Sequence, residues 1–141
     1  MVESEQLKRY DYILFKLKKI KQHLEKYEIA QKENNSDMEY VYLKSIERDC
    51  EECVECATRI NQHILEKHSL FADSYRETFE KLEKVGIKLN SREIEELSAT
   101  TGFRNRLAHV YMELDPNITI KSAQKIVSLY PRYLLAVKEH L

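Results

Sequence analysis

Turn-forming residues are scarce in this chain. Two glycines and two prolines in 141 residues are too few for a sheet protein, which needs many tight turns. Long apolar runs are absent as well, and nothing approaches the roughly 20 residues of a membrane span. Cysteine is sparse and odd in number, three in all, which argues against a disulfide framework. The opening Met1-Val2-Glu3-Ser4-Glu5-Gln6 is polar and acidic, the wrong start for secretion. A soluble protein of the reducing cytoplasm is the expectation. Charge of one sign is lacking too: the formal net charge is −1, so the overall field does not attract polyanions. Contact with nucleic acid would have to come from a local patch.

What is present is charge of both signs. Charged residues make up 33% of the chain, and with abundant Lys, Glu and Leu this composition predicts long amphipathic helices. The length suits one domain spanning residues 1–141 with a real core. From about Ser4 to Gln31, apolar residues recur at Leu7, Tyr10, Leu14, Leu17, Ile20 or Lys21, Leu24 and Tyr27, a helical stripe. Asn34-Asn35-Ser36 breaks it, and Ser36 with Glu39 reads as a capping box for a second long helix. The inward stripe of that helix runs through Met38, Val41 or Tyr42, Ile46, Cys50, Cys53, Cys56 or Ala57, Ile60 and Ile64. His68 to Ala72 connects it to a shorter helix, capped by Ser74 with Glu77 and stopped before Gly86. Asn90 with Glu93 opens the next helix. Asp115-Pro116-Asn117 is a turn, or the cap and first residue of the last helix, which Pro131 should kink or split. The fold class is all-α, a bundle of about five helices, two of them long.

Three features away from the main site invite a role. Cys50-x-x-Cys53-x-x-Cys56 has a spacing seen in iron–sulfur and zinc sites. On a continuous helix, however, six residues turn through about 600°, so only adjacent pairs sit close. There is no fourth cysteine and no glycine to wrap a cluster, and these positions fall on the inward stripe, where cysteine acts as a small hydrophobe. No metal and no cofactor are expected. Lys16, Lys18, Lys19 and Lys21 form a basic run that could extend an RNA track, though such runs are more often solvated faces. Tyr10, Tyr12, Tyr40 and Tyr42 could stack on bases, but helically spaced aromatics more often build a core or a dimer interface.

The richest stretch is Gly102-Phe103-Arg104-Asn105-Arg106-Leu107-Ala108-His109-Val110-Tyr111. Arginine offers a permanently charged planar fork that suits phosphate oxygens. Histidine, with an unperturbed pKa of about 6.5, moves protons near neutrality. At about 100° per residue, Arg104 and His109 lie about 140° apart on a helix, whereas Arg106 and His109 are close neighbours. Either the helix frays near Leu107 or a second copy completes the site. Cleaving RNA by its own 2′-hydroxyl needs both a base and an acid, so one histidine per chain points to a two-fold dimer. Spacing alone leaves open the plainer reading, in which Arg104 and Arg106 are solvated charges and His109 is an ordinary histidine.

Ser74 to Leu82, Gly86 and the string Arg104 to Tyr111, with Cys53-Val54-Glu55-Cys56-Ala57, resemble the HepT-like branch of the HEPN (higher eukaryotes and prokaryotes nucleotide-binding) superfamily. The R-x4-H-x-Y string of that family is complete here. The resemblance implies an all-helical homodimer acting as a metal-independent endoribonuclease toxin of a type VII toxin–antitoxin system. Its usual partner is a minimal nucleotidyltransferase antitoxin. By the same resemblance Arg104 and His109 would be catalytic, and Asn105 the polar residue that commonly follows the arginine. Arg106 would hold a flanking phosphate, and Tyr111 would be silenced by adenylylation. Val110 and Met112 stand where acidic residues are common, a departure that leaves the proposed pair untouched. The alternative within the superfamily is a non-catalytic module that binds nucleotide or docks the nucleotidyltransferase.

Overall fold

A computed structural model of the chain describes residues 2–109 and 114–141, with side chains from 5 to 108 and from 114 onward. Among them are five α-helices and no strand: α1 Val2–Lys32, α2 Ser36–Lys67, α3 Tyr75–Glu80, α4 Ser91–His109 and α5 Pro116–Lys138. No described helix is long and apolar enough to cross a membrane.

Local capping sets most of the boundaries. Asn35, rather than Ser36, caps α2: its side-chain oxygen accepts the Met38 N–H at 3.2 Å. Both residue types cap well, and the earlier one takes the role, leaving Ser36 in the first turn. Ser74 caps α3 by accepting the Glu77 N–H at 3.1 Å. After Glu80 the chain tightens into a 3₁₀ turn, Lys81–Val85, and stops at Gly86 with φ +74°, a left-handed conformation that glycine adopts at little cost. Asp115 caps α5 through the Asn117 N–H at 2.9 Å, with Pro116 in the first helical turn. Pro131 does not split α5, which continues to Lys138.

α1 and α2 form an antiparallel pair, as the cross-helix contacts Lys16–Asp49 and His23–Tyr42 require. The face α1 turns inward is not quite the one its spacing suggests. Leu7 and Leu14 are 50% and 46% exposed, while Ile13, Leu17, Ile20 and Tyr27 are buried. This helix carries apolar residues on two faces, and the α1–α2 seam selects one of them. On α2 the expected stripe holds from Ile46 through Cys50, Cys53, Ala57 and Ile60 to Ile64, all with no exposure, whereas Val41 is exposed.

α5 closes the bundle against α1, α2 and α4. Tyr130 and Tyr133 are fully buried along it, and their hydroxyls need partners there. Tyr133 donates to Asn61 Oδ1 at 2.6 Å, and Asn61 in turn donates to Thr78 Oγ1 at 3.3 Å. These bonds tie α5, α2 and α3 together beneath the site.

Candidate functional site

α4 carries the site, and a complete capping box fixes where it begins. Glu93 N–H donates to Asn90 Oδ1 at 2.8 Å, and Asn90 N–H donates back to Glu93 Oε1 at 2.9 Å. The other Glu93 oxygen accepts from Arg132 Nε at 3.1 Å, locking the start of α4 to α5. Leu97, Ser98, Thr101 and Phe103 are buried on its inner face. With Phe103 inside, the next residue, Arg104, emerges at the rim.

Arg104 is held from two directions. Its Nη2 donates to Glu55 Oε2 at 3.1 Å, and its guanidinium carbon lies 4.5 Å from the centre of the Tyr75 ring. Its Nε is enclosed without a hydrogen-bond partner. The Glu55 carboxylate also accepts the Tyr75 hydroxyl, at 3.0 and 3.1 Å to its two oxygens, and pairs with Arg59 at 3.5 Å. Burial, followed by the bond to Glu55, pushes the Tyr75 phenol above its ordinary pKa. Arg104 opens onto a cleft of about 360 Å³ between α2 and α4, lined also by Arg48, Glu51, Glu52 and Glu55.

α4 stays helical through His109, so it does not fray near Leu107. Asn105 and Arg106 are exposed on the same helix. The His109 side chain and Tyr111 lie outside the described residues.

Within the basic run Lys18 and Lys21 are exposed, and the seam beside the cleft changes the reading of Lys16 alone. Lys16 is no solvated charge and no free RNA contact: it bonds Asp49 at 2.9 Å and Glu52 at 3.3 Å with only 13% of its side chain exposed. Burial alone would lower its pKa, but Asp49, Glu52 and Tyr12 together outweigh that and hold it above the ordinary value. Tyr12 hydrogen-bonds Glu52. Cys50 and Cys53 have no exposure, and burial drives both thiols up in pKa, as expected of core residues rather than ligands. Among the described residues no group of three or more His, Cys, Asp or Glu is set to hold a metal ion.

Sequence reasoning assigned no role to Glu55 or Tyr75. A signal was present: Glu55 interrupts the otherwise small or apolar Cys53-Val54-Cys56-Ala57 on an inward-facing part of α2. Its partner on α4, 49 positions away, was not legible there.

The sequence model of the family described as Ribonuclease HepT-like matches residues 13–137, and the chain belongs to that family. Solved structures share the fold. A tri-AMPylated Shewanella oneidensis HEPN toxin in complex with MNT antitoxin superposes with a TM-score of 0.67 at 20% identity, covering 92% of this chain and 98% of that one. A toxin–antitoxin structure with AMP-PNP gives 0.68 at 20% identity with the same coverage. A mutant of the toxin–antitoxin pair MntA-HpeT gives 0.65 at 21%, again covering 92% and 98%. No curated protein matches the sequence.

Proposed function

We propose that this protein is a metal-independent endoribonuclease toxin, acting as a two-fold homodimer and silenced by a nucleotidyltransferase antitoxin. The observation that carries the reading is Arg104, clamped at the rim of an open cleft five residues ahead of His109 on an unbroken helix. Membership of a ribonuclease family supports it, and so does the fold shared with a HEPN toxin solved in complex with MNT antitoxin.

The chemistry follows from the residue types. Arg104 neutralises the scissile phosphate and the charge that gathers on it in the transition state. His109 of one protomer takes the proton of the 2′-hydroxyl as its oxygen bonds to phosphorus. His109 of the partner subunit gives a proton to the 5′-oxygen as the P–O5′ bond breaks. The products are a 2′,3′-cyclic phosphate and a 5′-hydroxyl. Arg104 and His109 sit about 140° apart on one continuous helix, so two copies of α4 facing each other supply what one copy does not. Asn105 orients His109 or holds a sugar or phosphate, and exposed Arg106 holds a flanking phosphate. AMP attached to Tyr111 would bring its own phosphate to the same anion site and exclude RNA.

Incubation of unmodified protein with total cellular RNA in EDTA tests this. Wild type should cleave, while His109→Ala and Arg104→Ala should fall by at least about 100-fold. Undiminished cleavage by His109→Ala, or activity lost in EDTA and restored by magnesium, would sink the assignment. A wild type with bare Tyr111 that leaves RNA intact favours the non-catalytic alternative, a nucleotide-binding or antitoxin-docking module.

A further inference from the structure

Arginine at the end of a long flexible stem makes a poor transition-state contact unless something fixes its fork, because ordering that side chain costs entropy. Arg104 is fixed. The Glu55 carboxylate grips one edge of the guanidinium through Nη2 at 3.1 Å, and the Tyr75 ring supports its face at 4.5 Å. Only 19% of the Arg104 side chain is exposed.

We infer that Glu55, together with the Tyr75 ring, is the positioning group that aims Arg104 at the scissile phosphate. This role rests on the ribonuclease reading above. Neither residue need touch RNA; both act through Arg104.

Two features distinguish an anchor from a competing anion that RNA must displace. First, Glu55 is itself tied down. It accepts the Tyr75 hydroxyl at 3.0 Å and pairs with Arg59 at 3.5 Å, so three partners from α2, α3 and α4 converge on one carboxylate. A carboxylate held this way is not poised to swing aside. Second, its charge is shared among two guanidiniums and a phenol, so Arg104 keeps positive charge to spend on phosphate. A guanidinium has five N–H donors, and Glu55 engages one Nη group. A lysine could not reproduce the arrangement, having neither an edge for Glu55 nor a flat face for Tyr75.

The test uses full-length protein with Tyr111 confirmed bare by intact mass. It pairs steady-state cleavage of a short RNA with NMR of the Arg104 guanidinium. A gripped guanidinium rotates slowly about its Nε–Cζ bond, and a free one rotates fast. Wild type should show slow rotation, and Glu55→Gln should show fast rotation. Glu55→Gln should lower kcat by roughly 10- to 100-fold with KM shifted less than about threefold. Glu55→Asp, which retains the charge, should recover part of kcat, and Tyr75→Leu should lose kcat in the same sense. Circular dichroism confirms that each variant is folded, and rotation in wild type needs no variant at all.

Cleavage by Glu55→Gln at the wild-type rate would overturn the inference, as would faster cleavage with a lower KM, the mark of a competing anion. Fast Arg104 rotation in wild type would overturn it too. A wild type that leaves RNA intact strikes the ribonuclease reading alone, since the rotation still decides whether Glu55 holds Arg104.

Discussion

Arg104, Glu55 and Tyr75 meet at the rim of the cleft, and a second ionic cluster lies beside them on the α1–α2 seam. There Glu52 joins Lys16 at 3.3 Å, Arg48 at 3.0 Å and the Tyr12 hydroxyl. Burial raises the Glu52 pKa, but the bonds from Tyr12 and Lys16 outweigh burial and leave it below the ordinary value. A carboxyl depressed on folding contributes stability above its unfolded pKa, about 4.3, and loses it as pH falls through the lower folded value. Glu52→Gln should therefore be less stable than wild type at pH 7 by about 1 kcal/mol or less, because the pair is partly exposed. The difference should shrink as the solution is acidified below about pH 4. Urea melts at several pH values measure this, and a gap that widened in acid would contradict it. The cysteines tell the opposite story at the same scale. Cys50 and Cys53 are sealed in the core, where they pack as small hydrophobes, and Cys56 is half-buried beside them.

The helices begin and end where short-range chemistry tells them to. Ser74, Asn90 and Asp115 each accept a backbone N–H two or three residues ahead, and Gly86 supplies the left-handed stop. The Asn90 cap has the most at stake, because it starts the helix that presents Arg104. Its partner Glu93 also bonds Arg132 on α5. Asn90→Ala should cost about 1 kcal/mol of stability. It should also loosen the first turn of α4 in hydrogen exchange while the α1–α2 pair stays protected. Thermal melts and exchange mass spectrometry read both effects, and uniform loosening of all helices would argue against a local cap. α4 also fixes the angular relation of Arg104 and His109, since it runs without a break between them.

At the scale of the molecule, the proposed mechanism takes the angle of about 140° between Arg104 and His109 to mean that one copy is incomplete. The proposed dimer follows from that. Light scattering should give twice the 16.8 kDa chain mass, and a monomer at the concentrations where RNA is cut would refute two-fold catalysis. By itself the sequence determined the all-α class, the five helices, the caps at Ser74 and Asn90 and the Arg104 to Tyr111 string, while the cap of α2 fell one residue earlier than expected, at Asn35. Each of these is written in residues within one or two turns of one another, where hydrogen bonds and periodicity are local. Only the tertiary structure decided which face of α1 turns inward, burying Ile13 and Ile20 while Leu7 and Leu14 stay in the open. It alone turned Lys16 from a surface charge into a part-buried ion pair on the α1–α2 seam, and it alone brought Glu55 and Tyr75 to Arg104. Those outcomes depend on helices distant in sequence docking in one register, and no local pattern records that register.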